Sequence, residues 1–242
     1  MSIESLDPDE VSAADILGSA IERREDPALI TGDAEYTDDL QPANLVHMAV
    51  ARSRFGHARI EGVDTSEAEA MDGVVGVYTH DDLHSDDTPG GGSFELPTGW
   101  LLDSLATVSH PILANDRVRY QGDAIAVVLA EERYAAADAA KAVDVDYDRL
   151  DAVTDPDEAL ETDAPVLHDD AEGNVAFDWE IGDEEKTASA FDSAAHTVSI
   201  DLTNQLLIPN AMEPRAAVAN YHPGTDDLEV AMTTQNPHLH RL

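Results

Sequence analysis

The chain reads as an α+β protein, and three observations carry that prediction. Between Arg117 and Tyr147 the segments "RVRY", "AIAVVLA", "ERYAAADAAKAV" and "DVDY" follow one another as strand, strand, helix and strand. After Asn174 strand-like runs dominate, among them "RAAVANY" and "LEVAMTTQ". The 242 residues hold no internal repeat or low-complexity tract, and 43% hydrophobic residues suffice for a real core.

From the N-terminus, Asp7 and Pro8 offer a helix cap and a first helical residue, and Val11, Ile16, Leu17 and Ile21 follow at roughly helical spacing. A short helix is expected there. "LVHMAVARS" (Leu45 to Ser53) predicts a strand, and "GVVGVYT" (Gly73 to Thr79) predicts a buried one. Between them "VDTSEAEAM" places Thr65 or Ser66 where it can cap a Glu/Ala-rich helical turn. "TPGGGSFELPTG" (Thr88 to Gly99) is a loop; its glycines lack the following Lys-Ser/Thr and the feeding strand of a phosphate cradle.

In the unit from Arg117 to Tyr147, "QGD" is the turn between the first two strands, and the alanine-rich stretch is the helix. "DRLDAVTDPDEALETDAP" turns acidic and turn-rich, as a linker would, with one short helix after Asp155. "HTVSIDLTNQLL" predicts a long strand. "RAAVANY" and "LEVAMTTQ" form a hairpin across "HPGTDD", a five- or six-residue loop containing Gly224. Two strands alone are marginal in water, and the preceding strand can supply a third.

The net charge of −38 arises from 51 acidic against 13 basic residues, and only Lys141 and Lys186 are lysines. Such a chain repels itself in dilute buffer, whereas molar salt shrinks the Debye length to about 3 Å and removes most of that penalty. A protein built for a salty cytoplasm is expected. The acids are scattered between apolar runs, which argues against a disordered acidic tail. No basic patch is visible to neutralise phosphates, so no nucleic-acid partner is expected. Without cysteine the chain forms no disulfide, no thiolate zinc site and no iron–sulfur cluster of its own. Its acidic N-terminus lacks the features of a secretory signal, and no apolar run approaches the ~20 residues of a membrane span. A soluble, cytoplasmic protein is the expectation.

"HDDLHSDD" sets His80 and His84 at i, i+4 among carboxylates, a spacing that on a helix aims both at one metal; beside a glycine loop, a solvated turn is the plainer reading. His222, His238 and His240 read as surface or packing residues, and "EPR" as a local Glu213–Arg215 ion pair. There is no GxSxG, Walker loop, dinucleotide fingerprint or HExxH. Residue chemistry alone yields no complete catalytic constellation.

Four longer stretches carry a resemblance: "RREDPALITGDAEYTDDL", "VARSRFGHARIEGVDTSEAEAMDGVVGVYTHDDL", the run from "HPILANDRVRYQGDAIAVVLA" to "DPDEAL", and "NQLLIPNAMEPRAAVANY" followed by "TTQNPH". In order and spacing, from about Ile21 to the end, they resemble the large, molybdopterin-binding subunit of the carbon monoxide dehydrogenase, xanthine dehydrogenase and aldehyde oxidase family. "SRFGHARI" departs by lacking the usual proline and first histidine, and "GDAIAV" replaces the more common "GEPVAV".

The resemblance implies an acidic extension (1–20), an α/β hammerhead domain (21–150), a linker (151–172) and the truncated start of a molybdenum-cofactor domain (173–242). It also implies that Gln235, in the "TQN" element, is the glutamine that hydrogen-bonds the apical oxo ligand of molybdenum. An amide N–H suits that task because it stabilises an oxygen acceptor without ligating the metal. The complete parent is then expected to hold molybdenum–molybdopterin cytosine dinucleotide. Its partners are an FAD-binding medium subunit, an iron–sulfur small subunit and the remainder of the large subunit. The family's active-site loop and catalytic glutamate have no counterpart here. No catalytic or metal-ligating residue is therefore assigned, and the isolated chain is expected to be inactive. The competing expectation is a non-catalytic hammerhead module for interaction or assembly.

Overall fold

The computed structural model describes residues 18–83, 93–94, 105–106, 108 and 110–241. The helix expected after Asp7 falls almost wholly outside them, as do His84 and most of the glycine-rich loop. In chain order the first elements are α1 (Asp26–Thr31), β1 (His47–Arg52), β2 (Ala58–Asp64), α2 (Ser66–Glu69), β3 (Val74–Thr79) and α3 (His80–Leu83). Short strands β4 (Ser93–Phe94), β5 (His110–Pro111) and β6 (Arg117–Val118) lead to β7 (Ala124–Ala130), α4 (Arg133–Ala142) and β8 (Asp144–Arg149). The chain continues through α5 (Glu184–Ser193), β9 (Ala217–His222), β10 (Asp227–Met232) and α6 (Pro237–His240). Contacts group these into two units, Ala43–Ile200 and Met1–Pro42 with Asp201–Leu242.

In the unit Ala43–Ile200, β1, β7 and β3 form an antiparallel sheet in that order, and β6, β2 and β8 form a second. β7 has seven apolar residues in succession and takes the central place, where Ile125, Ala126, Val128 and Ala130 are all buried. β3 is therefore an edge strand. Contrary to the prediction of a buried strand, Val75 and Tyr78 are exposed, because only one strand of a three-stranded sheet has neighbours on both sides. α4 packs on β1 and β7 through fully buried Ala136 and Ala139, whose lack of bulk lets the helix approach closely.

"RVRY" and "AIAVVLA" are both strand-forming, yet β6 and β7 lie in different sheets. The turn "QGD" carries the chain across, with Gly122 at φ +97°, a conformation that only glycine adopts cheaply. Arg52 and Ser53 hold the turn: the guanidinium donates to the Gly122 carbonyl at 2.9 Å, and the Gly122 N–H donates to the Ser53 carbonyl at 2.8 Å. Ala58, Ala114, Val118 and Ile125 make the core where the two sheets meet, with Phe55, Ile60, Val63, Val145 and Tyr147 packed around it.

The cap of α2 differs from the sequence prediction. Thr65 is already in the right-handed helical region and makes no cap bond; its hydroxyl donates to Glu69 at 2.7 Å. Asp64 caps in its place, accepting the Ser66 N–H at 3.0 Å, and the Ser66 hydroxyl and amide hold its carboxyl below the usual range.

The short helix expected after Asp155 is a 3-10 turn at Glu158–Leu160. The segment around it is tied down by Asn174, whose amide donates to the Ala159 and Pro165 carbonyls at 3.0 Å and whose oxygen accepts from Leu167 N–H at 2.9 Å. "HTVSIDLTNQLL" forms no strand. Val198, Ile200 and Leu202 alternate as a strand requires, but they are 92%, 75% and 82% exposed, and no described strand pairs with them. Alternation marks the capacity for a strand; a hydrogen-bonded neighbour makes one.

In the other unit β9 and β10 pair from Asp227↔His222 to Met232↔Ala217. The hairpin is the predicted one, closed by four residues (223–226) where five or six were expected. Its left-handed position falls on Asp226 (φ +60°), not on Gly224, and the Tyr221 hydroxyl donates to the Asp226 carboxylate at 2.8 Å. The sheet has two strands among the described residues, so the predicted third is absent. No helix among the described residues is long and apolar enough to cross a membrane.

Candidate cofactor-contacting loop

Downstream of β10 the chain turns through Thr233, Thr234, Gln235 and Asn236 into α6, which begins at Pro237, the helical position that tolerates proline best. Thr233 extends the ladder by one bond, its N–H donating to the Ala216 carbonyl at 3.1 Å. Its hydroxyl lies 3.2 Å from the Pro214 carbonyl and 3.4 Å from Glu213 Oε1. The same Glu213 oxygen is 3.4 Å from the Thr37 hydroxyl. Glu213 thus faces two threonines, and the predicted Glu213–Arg215 ion pair is not formed.

Thr234 closes the other side. Its hydroxyl oxygen accepts the Asn236 N–H at 3.0 Å and lies 2.5 Å from His240 Nδ1. His240, exposed on α6, thereby links the loop to that helix. His222 faces Glu229 at 3.7 Å on the hairpin surface.

Gln235 sits at the bend between these anchors, exposed, and its side chain makes no hydrogen bond among the described residues. Its carboxamide keeps two N–H donors and one carbonyl uncommitted while the backbone on either side is pinned. That arrangement fits a donor to an external oxygen acceptor.

The other sequence candidates are dispersed. His80 Nδ1 lies 3.0 Å from the Leu113 carbonyl, and no group of three or more His, Asp or Glu among the described residues is arranged to hold a metal. Sequence reasoning missed one cluster. His110, Arg117, Arg119 and His168 converge on a small cavity, although no basic patch is apparent along the chain. The signal present was the i, i+2 pair of arginines in "RVRY", which a strand places on one face.

Residues 31–151 match the model of the aldehyde oxidase and xanthine dehydrogenase α/β hammerhead domain, and residues 167–242 match the molybdopterin cofactor-binding domain. The chain is 35% identical over 230 residues to the carbon monoxide dehydrogenase large chain of Hydrogenophaga pseudoflava, covering 90% of this chain and 27% of that one. The nicotine 6-hydroxylase large subunit of Paenarthrobacter nicotinovorans is 31% identical over 229 residues, covering 94% and 27% respectively. Reconstituted CO dehydrogenase from Oligotropha carboxidovorans has a similar structure, with a TM-score of 0.77 at 31% identity over 96% of this chain and 30% of that one. The chain thus spans less than a third of the length of these relatives.

Proposed function

Since the chain belongs to the aldehyde oxidase and xanthine dehydrogenase family of molybdopterin-binding large subunits, we propose that it forms the front portion of a molybdenum hydroxylase of the carbon monoxide dehydrogenase type. The observation that carries this reading is the succession of both family domains along one chain, hammerhead first. Residues 21–150 serve as the hammerhead domain, 151–172 as a linker and 173–242 as the start of the cofactor domain. The exposure of Val198, Ile200, Leu202, Leu206 and Ile208 supports a place inside a larger subunit, since apolar side chains gain by being covered.

The residues present fit the implied cofactor at one point. Thr233 and Thr234 fix the bend, and Gln235 offers its amide N–H to a cofactor oxygen without ligating metal. When bound, molybdenum–molybdopterin cytosine dinucleotide supplies the redox centre at which a small carbon substrate is oxidised. The chain has no cysteine to ligate an iron–sulfur cluster, so a small partner subunit would hold the clusters and a medium one FAD. The acidic surface suits a salt-rich cytoplasm.

The test is Gln235→Ala in the complete subunit assembly. Turnover falling about 10- to 100-fold, with the melting temperature unchanged, is the expected result. Unaltered turnover and an unaltered Mo(V) electron paramagnetic resonance spectrum would remove Gln235 from the cofactor's surroundings.

A further inference from the structure

In a chain that is overwhelmingly acidic, four of its cationic or protonatable side chains gather at one cavity of about 60 Å³ in the unit Ala43–Ile200. Arg117 and Arg119 reach it from β6 and the residue beyond, His110 from β5, and His168 from the linker segment. Arg117 and Arg119 are largely buried, with side chains 12% and 20% exposed. Placing two guanidinium groups together away from water is unfavourable unless negative charge offsets them.

The protein's own carboxylates offset them poorly. Asp169 lies 3.8 Å from Arg117 and Asp116 lies 3.9 Å from Arg119, at the limit of an ion pair, and both are mostly in solvent, 82% and 66% exposed. Asp123 lines the cavity, but its carboxylate accepts the Arg119 backbone N–H at 3.1 Å and is engaged by Tyr120. Arg119 spends its Nε–H on the Leu167 carbonyl at 2.8 Å. Arg117 Nε is buried and donates to nothing. Burial first, and then the neighbouring Arg119, His110 and Arg117, hold His168 below the ordinary histidine value, which leaves the two guanidinium groups as the main cationic groups of the cavity.

We propose that the cavity lined by His110, Arg117, Arg119 and His168 binds one small inorganic monoanion of the halide class. The volume has room for a halide with a water or two and little for a larger oligoanion. Charge-assisted hydrogen bonds from a guanidinium to an anion are the strong kind, and Arg117 and Arg119 bring two such groups to the cavity lining. The bound anion ties β5, β6 and the segment around His168 to one another, adding to the Arg119–Leu167 hydrogen bond and the Arg117–Asp169 ion pair. Its role is structural and does not depend on the catalytic reading of the parent.

The experiment soaks crystals of the protein, in whatever assembly it purifies, in bromide and records anomalous diffraction at the bromine edge. Melting is measured in parallel in chloride and in gluconate at equal ionic strength and pH. The expected result is an ordered bromide in the cavity and a higher melting temperature in chloride, with apparent chloride affinity weakened about tenfold or more by Arg117→Met. Should Arg117→Met fail to fold, His110→Ala serves, with a smaller loss of affinity expected. Absence of bromide from the cavity, bromide on exposed arginines alone, or equal melting in the two salts would overturn the proposal.

Discussion

Gln235 and Thr233 stand two residues apart and separate two kinds of effect. Gln235 is exposed and bonded to nothing described, so Gln235→Ala should change stability by less than about 0.5 kcal/mol in a denaturant titration. Thr233→Val, by contrast, removes the hydroxyl that reaches Pro214 and Glu213 and should destabilise its unit by about 0.5–1.5 kcal/mol in the same titration. His168 provides a pH signature. Burial first, and then the charges of Arg119, His110 and Arg117, lower its pKa in the fold, while Asp169 opposes them weakly. The unfolded chain therefore binds the proton more readily. The stability linked to His168 is full above the unfolded value and is lost as pH falls through it toward the lower folded one. Melting temperature should drop between about pH 7 and pH 5 in halide-free buffer, and His168→Asn should flatten that slope. An identical slope in the variant would assign the drop to other groups. At this scale little was legible in the sequence. A single glutamine has no pattern, and only the family resemblance drew attention to Gln235. The cluster around Arg117 needs His168 from far along the chain, which spacing cannot show.

At the scale of elements, apolar pattern located the strands well and ranked them less well. "AIAVVLA" and "GVVGVYT" look alike as uninterrupted apolar runs, yet β7 is central and β3 lies at the edge. The difference depends on which strand the other pairs with, a non-local fact. It predicts unequal responses to truncation: Ile125→Ala, at a fully buried site, should lose about 2–5 kcal/mol, while Val75→Ala should stay within about 0.5 kcal/mol. Urea denaturation of the two variants decides the point, and equal losses would contradict the assignment of centre and edge. The stretch 196–207 carries the opposite lesson. Its alternation is legible, but nothing described pairs with it, so its amides should exchange with solvent faster than those of β7 by several orders of magnitude.

Over the whole molecule, a net charge of −38 sets the conditions under which the fold holds. Screening by salt should raise the melting temperature steeply, and far-UV circular dichroism should report loss of structure in dilute buffer; a spectrum independent of salt would show that self-repulsion is minor here. The α+β class and the order of the two family domains were both readable from the sequence, the first through periodicity and the second through long matched stretches. Local physics alone did not reach a function, because the residues that suggest one lie in a bend with no catalytic group beside it. The most direct measurement is elemental and cofactor analysis of the native protein, captured through this chain from its own cells. Molybdenum near one per chain, together with co-purifying FAD and iron–sulfur subunits, is the predicted result. A homogeneous preparation free of molybdenum and of those subunits would contradict the assignment and leave a hammerhead module that serves interaction or assembly.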